Sequence, residues 1–445
     1  MNKNKDYLIT EKPSRALFAF ALPMIIGNLF QQAYTIVDSA IVGHYVGETA
    51  LAAVGASYAL TSIFICVAIG GGIGASVIIS QHFGGHAYIR MKNSIRTAML
   101  SFLLISLLLG GIGLCFSRQI MEALNTPADA MDIAVIYLNI YFYGLPFLFM
   151  YNILSSMFNA LGESRIPLYL LIFSSVLNIF LDLYMVATLH LGVAGAAYAT
   201  FIAQGISAVC SFLIFLHTLR RLDGKAETWF SKAEFSSMSR IALPSILQQS
   251  TVSIGMMLVQ SVVNGFGTQI LAGFSASMRI ESLCVVPMSA IGNALSSYTA
   301  QNIGAEKHER IPLGYRAANI MVAITAVILC LFLELLHRPL IALFLDGAPS
   351  AQTVATGEGY LRFIGFFFCM IGFKMAVDGI LRGAGAVKVF TIANLVNLGL
   401  RVLIAKFGAP VYGIAMVWYA VPLGWLANFL ISYGYYRTGK WKQIK

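Results

Sequence analysis

The feature that most constrains this chain is a recurrence of apolar runs too long for a water-soluble fold. A helix needs about 20 largely apolar residues to cross a bilayer. Runs of that kind lie near 16–43, 51–80, 94–116, 132–160, 166–188, 194–218, 240–264, 270–299, 314–336, 357–381, 388–407 and 412–436. Several exceed the minimum, so tilting or bending is expected, and Pro23, Pro146, Pro244 and Pro287 fall inside runs as candidate kinks. Hydrophobic residues make up 58% of the 445 and charged residues only 11%, whereas soluble domains carry about 25% charge. The predicted fold class is therefore all-α and integral to the membrane, with twelve transmembrane helices, short loops and no sizeable soluble domain.

The charges sort the loops. Most of the 29 Lys and Arg fall on one side: Lys3, Lys5, Lys12 and Arg15, then Arg90, Lys92 and Arg96, then the central loop and the C-terminus. The other side receives Arg118, Arg338 and Lys406. The positive-inside bias then places both termini in the cytoplasm, and an odd number of spans would scramble the segregation. The net charge of +10 is loop bias rather than a nucleic-acid footprint, since no basic stripe interleaves with aromatics. The polar start runs straight into the first span, which is expected to act as its own insertion signal. Cys66, Cys115, Cys210, Cys284, Cys330 and Cys369 all lie in apolar runs with no metal-ligand spacing, so they are expected to be buried small hydrophobes.

The halves repeat. A shift of 220 aligns Gly47–Gly84 with Gly267–Gly304, including Ser57 with Ser277 and Gln81 with Gln301. With small gaps, Ala-Leu-Pro at 21–23 matches 242–244, residues 160–165 match 383–388, and Asn178 and Asp182 match Asn397 and Arg401. Six spans per half is an even number, so both halves start on the same side and form parallel repeats around a normal axis. The expected organisation is an N-terminal lobe over 1–220, a cytoplasmic linker over 221–239 and a C-terminal lobe over 240–445, two pseudo-symmetric six-helix bundles around a cavity.

Charges within spans are costly and usually functional. Asp38 lies deep in the first span. Gln31, Tyr34 and Asp38 are spaced i, i+3, i+7 and share a helix face too polar for lipid. Asp38 is read as a carboxyl that takes and releases a proton as a substrate goes and comes, against the alternative of a satisfied structural acid. Asp182 follows Asn178 by four on one face. That amide either holds the carboxyl or shares a cation with it, unless Asp182 is only an end-of-span acid near the outer headgroups. If the two acids meet, like charge and desolvation favour a proton held between them. The second half has Leu258 and Arg401 at the matching positions, so ion coupling is assigned to the first half. Glu281 is a second proton or substrate carboxyl, or else the partner of a charge on another helix. Lys374 and Asp378 at i, i+4 form an expected structural ion pair, and Glu334 with Arg338 an expected surface pair. His82 and His86 are expected in a solvated loop. Gly70, Gly71, Gly72 and Gly74 follow no strand, so they suit close helix packing rather than phosphate binding. No Walker motif and no nucleophile–base set is present, which excludes ATP drive and a membrane enzyme.

The chain resembles the multidrug and toxic compound extrusion (MATE) transporters, and within them the DinF-like branch. The likeness rests on Ala-Leu-Pro-Met-Ile-Ile at 21–26, Ile-Val-Asp-Ser-Ala-Ile-Val-Gly at 36–43, Asn-Ile-Phe-Leu-Asp at 178–182, Leu-Gly-Val-Ala-Gly-Ala-Ala-Tyr-Ala-Thr at 191–200, Thr-Ala-Gln-Asn-Ile-Gly-Ala at 299–305 and Leu-Arg-Gly-Ala-Gly at 381–385. The resemblance implies a bacterial inner-membrane antiporter, expected to be a monomer, that exports small amphipathic organic cations against H⁺ or Na⁺. It implies ion coupling at Asp38, Asn178, Asp182 and Thr200, where Na⁺ would also find its ligands, and a helix bend at Pro23. It implies no resident cofactor, no metal beyond Na⁺ and no nucleic-acid partner. Gln31, Tyr34 and Glu281 are the candidate substrate contacts. The charged set Glu281, Lys374 and Asp378 departs from the branch pattern and raises the question of a second coupling lobe. Two rival readings fit less well. A flippase of lipid-linked or other amphiphilic substrates wants a broad cationic cavity, and only Arg279, Lys374 and Arg401 are available. A major-facilitator carrier wants a GxxxDRxGRR-like second loop, which is absent.

Overall fold

The computed structural model of the protein describes residues 6–443 except 47, 125, 127 and 346–349. Lys3, Lys5 and Lys445, used above for orientation, and Gly47 of the repeat lie outside the described residues. Among the described residues every regular element is helical. The order is α1 (Tyr7–Thr10), α2 (Pro13–Val46), α3 (Glu48–Gly84), α4 (Tyr88–Ala123), α5 (Ala128–Ala160), α6 (Arg165–Asp182), α7 (Gly192–Arg220), α8 (Lys232–Asn264), α9 (Thr268–Gly304), α10 (Arg310–Phe344), α11 (Ala351–Gly365), α12 (Phe368–Gly383), α13 (Val387–Leu403), α14 (Ala409–Tyr412) and α15 (Ala415–Arg437). This follows from the solvent. In hydrocarbon each backbone N–H and C=O must bond within its own segment, and an open chain achieves that only as helix.

Among the described residues, eleven helices or helix runs are long and apolar enough to cross a membrane, and twelve if α11 and α12 form one span. Those two are bent by 52°, a break that the uninterrupted run at 357–381 did not announce. It falls after Gly365, the weakest helix former near the break, and leaves Phe366 67% exposed. Helices α2, α5, α8 and α9 continue through Pro23, Pro146, Pro244 and Pro287.

The internal duplication is written into the backbone. His86 (φ 54°) and Glu306 (φ 58°), both left-handed without being glycine, stand 220 apart. Gly162 and Gly385 are left-handed at the matched turns before α6 and α13, and Gly192 and Gly413 before α7 and α15. A Cβ is unfavourable in that conformation, so glycine is the natural occupant. Helix α6 runs into a π-helical turn over Leu183–Thr188, and α13 runs into another over Ile404–Gly408.

The chain packs as two compact units. One comprises Ile26–Ile246, and the other combines the residues up to Ile25 with Leu247 onward. The boundaries fall inside α2 and α8, two residues after the matched Pro23 and Pro244, rather than in the central loop. The reason is visible within each unit. In the first, the central loop is pinned along the start of α4. Lys92 Nζ donates to Leu222 O (2.7 Å) and Gly224 O (2.6 Å), and Asn93 Oδ1 accepts from Glu227 N (3.0 Å). Arg96 lies 4.8 Å over the Trp229 ring, and Ser231 N donates to Thr97 Oγ1 (3.0 Å). Residues 221–231 thus form a strap that leads α8 into this unit, where a Cβ on Gly70 or Gly74 would come within 2.7 Å of Ile246 or Ala242. The glycine run does serve close packing. In the second unit, Asn302 Nδ2 donates to Leu8 O (3.2 Å), Lys307 Nζ to Ile9 O (3.1 Å) and Arg310 to Glu11 O. Leu8, Leu17 and Phe20 then join its core beside Tyr298 and Tyr360.

Three side-chain expectations are corrected. His82 lies in α3 rather than in a loop and is only partly exposed: its Nε2 lies 3.0 Å from Glu234 Oε2, which also accepts from Ser94 (2.7 Å), while His86 is exposed as expected. Glu334 and Arg338 do not pair with each other. Glu334 meets Arg362 and Arg338 meets Glu358, each at 3.2 Å, because α11 brings its own charges against α10. Of the six cysteines only Cys66 and Cys284 are buried, and Cys115 is exposed. An apolar residue in a span has lipid as an alternative to the core.

Candidate ion and substrate site

The Ile26–Ile246 unit brings together two of the acids that the sequence singled out, Asp38 and Asp182. Tyr34 and Asp38 stand one turn apart on α2, which places both side chains on one face. Asn178 and Asp182 close α6, again one turn apart, and both are buried, Asp182 completely. The π-helical turn that follows interrupts the regular ladder just beyond Asp182, a distortion that recurs at functional positions. Helix α7 presents Thr200, and α5 adds Tyr137.

The carboxyls of Asp38 and Asp182 lie within hydrogen-bonding reach of each other, and Tyr34 reaches Thr200. The Asn178 amide sits among them. With its nitrogen toward the acid, it donates to Asp182 Oδ2 (3.1 Å), accepts from Thr200 N (3.0 Å) and contacts the Tyr34 hydroxyl. The opposite orientation would set the amide oxygen against a carboxylate oxygen. The Oδ1 atoms of Asp38 and Asp182 are buried without any hydrogen bond among the described residues. Two carboxyls close together inside a span thus keep acceptor capacity to spare, and among the described residues no basic side chain is bonded to either. Like charge and desolvation both disfavour two bare carboxylates so placed, so the pair is suited to hold a proton or small cation. The ligands at hand, carboxylates with a neighbouring amide and hydroxyl, are hard oxygen donors of the kind that hold an alkali cation as well as a proton.

Next to Thr200 is a cavity lined by Tyr137, Tyr141, Gly144, Phe201 and Gln204 among others. Tyr137, Tyr141 and Gln204 were not singled out from the sequence. The available signals were the four-residue spacings, Tyr137 to Tyr141 and Thr200 to Gln204, in otherwise apolar spans.

The remaining candidates lie elsewhere. Gln31 is exposed and its side chain makes no hydrogen bond among the described residues; only its carbonyl accepts, from Thr35. Glu281 belongs to the other unit, where it is buried and accepts from Tyr360 OH at 2.6 Å. Pro23 also lies in that unit's share of α2. Lys374 and Asp378 pair at 3.0 Å, both buried. Lys374 also donates to Asn394 Oδ1 (3.1 Å), and Ser432 donates to Asp378 Oδ1 (2.7 Å). The two charges neutralise each other, although Asp378 Oδ2 makes no hydrogen bond among the described residues.

The comparisons with known proteins point one way. The MatE family model matches residues 23–184 and 244–406, one match for each half. The probable multidrug resistance protein YpnP of Bacillus subtilis is 30% identical over 97% of this chain and 96% of its own length. Among solved structures, a MOP superfamily transporter from Pyrococcus furiosus superposes with a TM-score of 0.90 at 22% identity, covering 99% of both chains. An outward-facing multidrug resistance MATE family transporter does so with a TM-score of 0.87 at 23% identity, covering all of both. At those identities the structural matches establish the fold.

Proposed function

We propose that this chain, which belongs to the MatE family of multidrug efflux transporters, is a secondary antiporter exporting amphipathic organic cations in exchange for H⁺ or Na⁺. The observation that carries the reading is the contact between Asp38 and Asp182, backed by Asn178, Thr200 and Tyr34. In the outward-open carrier the acid pair holds its ion. After the two halves, 1–220 and 240–445, rock to face inward, the ion leaves and the pair becomes more negative. A hydrophobic cation then enters from the cytoplasm or the inner leaflet. Aromatic side chains around Tyr137 and Tyr141 supply apolar contact, and the carboxylates supply charge. Ion and cargo compete for the same negative charge, and that competition links their fluxes. Pro23 serves as the bend through which the first span follows the ion's release, and Gln31 lines the approach. The protein works as a monomer in the bacterial inner membrane with both termini in the cytoplasm.

The test is a proteoliposome assay in which a pH gradient or a sodium gradient alone drives export of a cationic dye. Wild type should respond to one gradient, which identifies the ion. Asp38→Asn should bind dye yet lose the response. A mutant that exports at the wild-type rate under the same gradient removes Asp38 from the mechanism.

A further inference from the structure

The unit containing Leu247 onward holds several ionisable groups inside its spans, and most are satisfied by protein. Lys374 and Asp378 neutralise one another. Arg382 donates to Asn293 Oδ1 (2.6 Å) and Ser296 Oγ (3.3 Å). Glu281 accepts from Tyr360. Arg279, which is exposed, and Arg401, which is half-buried, are different: among the described residues neither side chain makes a hydrogen bond or an ion pair, and Arg401 is the one shielded from the surface. It stands fourteen residues after Val387, the start of α13, so at ~1.5 Å per residue it is about 21 Å along a span and deep within a hydrocarbon core about 30 Å thick. An arginine at such depth faces a cavity and marks a ligand pathway far more often than it faces lipid.

Its surroundings are prepared for a polar guest. Arg401 occupies the position that Asp182 holds in the first half, and both helices pass into a π-helical turn just beyond. The side chain passes Gly424 of α15, where a Cβ would come within 2.8 Å of Arg401 Cγ. Asn397 Oδ1, one turn back, is buried without a partner, and so is Trp418 Nε1. Trp418 packs on the Tyr360 ring at 6.0 Å, which joins it to the Glu281–Tyr360 pair. Glu281 and Arg401 feel each other electrostatically but stay beyond ion-pair distance. Opposite charges held apart, with unused donors and an unused acceptor nearby, match a molecule carrying both charges in reverse order.

We propose that Arg401 is the receptor for a carboxylate on the transported amphiphile, with Glu281 facing its cationic end, so that zwitterionic amphiphiles form a substrate class of this transporter. The inference rests on the transport reading above but not on the identity of the coupling ion. A guanidinium offers a planar fork matched to carboxylate, and the substrate closes an ion pair that the protein leaves open. A lipid phosphate is the other anion a guanidinium would accept, but headgroups lie outside the hydrocarbon depth of Arg401.

A matched dye pair tests this: a rhodamine with a free benzoate, which is zwitterionic, and the same rhodamine as its methyl ester, which is a cation. The full chain is purified, and binding of each dye is followed by fluorescence polarisation in detergent, then transport in phosphatidylcholine vesicles with and without phosphatidylglycerol. Arg401→Gln should weaken binding and transport of the benzoate about tenfold or more while the ester changes less than about twofold. Arg401→Lys should retain the benzoate preference in part. Equal losses for both dyes, no loss for either, or an effect that appears only with phosphatidylglycerol would overturn the proposal. The polarisation arm needs no ion gradient. A chain that discriminates the dyes but ignores both gradients therefore defeats the antiporter reading and leaves the Arg401 site standing, and the reverse result does the opposite.

Discussion

The two halves share a backbone down to their left-handed residues and π-helical turns, yet their buried polar groups follow opposite logic. Around Asp38 and Asp182 the first unit places acid against acid and leaves two carboxylate oxygens without a hydrogen bond. Around Lys374 and Asp378 the second places base against acid and closes the arrangement with Asn394 and Ser432. The lesson is that duplication conserves helix geometry cheaply, because geometry is dictated by the membrane, while the buried charges are set independently in each half: Lys374 and Asp378 match neither Asp38 nor Asp182, whose counterparts are Leu258 and Arg401. One centre, in the reading proposed above, takes its counter-charge from an outside ion. The other brings its counter-charge on its own chain.

The contrast breaks most clearly in stability. Removing half of a satisfied buried pair strands a charge, so Lys374→Met alone should cost about 3–5 kcal/mol, whereas Lys374→Met with Asp378→Leu should return to within about 1 kcal/mol of wild type. Thermal unfolding in detergent reads both. If the single variant is harmless, the pair is not the closed unit described. In the first unit the same kind of change acts on function instead. Asp182→Asn should leave the melting temperature near wild type and reduce ion-driven export about 100-fold, or ~2.7 kcal/mol in the coupled step, as measured by dye flux in proteoliposomes. A smaller difference is expected at the matched glycines Gly72 and Gly292, which stand 220 apart. A Cβ on Gly292 would meet Met375 O, a backbone atom, at 2.7 Å, while one on Gly72 would meet the rotatable hydroxyl of Ser156 at 2.5 Å. Gly292→Ala should therefore cost about 1–3 kcal/mol by overpacking and Gly72→Ala less, and the melting temperatures should rank accordingly. The smallest effect belongs to the exposed pair between α10 and α11: Glu334→Gln should change stability by no more than about 1 kcal/mol, and high salt should abolish the difference.

Much of this was legible in the residues. The apolar runs named the spans, since length and hydrophobicity alone decide whether a helix can cross. Asn178 and Asp182 announced themselves as polar groups one turn apart where polarity is expensive, and Asp38 did so by itself. What the pattern did not carry is pairing between helices. The i, i+4 rule joined Glu334 to Arg338, yet α11 supplied nearer partners in Arg362 and Glu358. Tyr137 and Tyr141 stayed hidden because an aromatic residue in a span is equally at home against lipid, core or cavity. The break between α11 and α12 lacked the proline that usually declares one, and no residue type encodes a π-helical turn. The extent of each lobe was only half visible: Ala-Leu-Pro repeats in both halves, but nothing in its composition says that packing changes hands two residues later.

That change of hands has a consequence for biogenesis. Residues 6–25 are translated well before the rest of their unit, and the side chains that enclose Leu8, Leu17 and Phe20 come from helices made hundreds of residues later. The opening segment must wait, inserted but unpacked, until the last spans arrive. A gene split in the central loop would accordingly yield two fragments, each carrying a piece of the other's interior, and neither would mature without its complement.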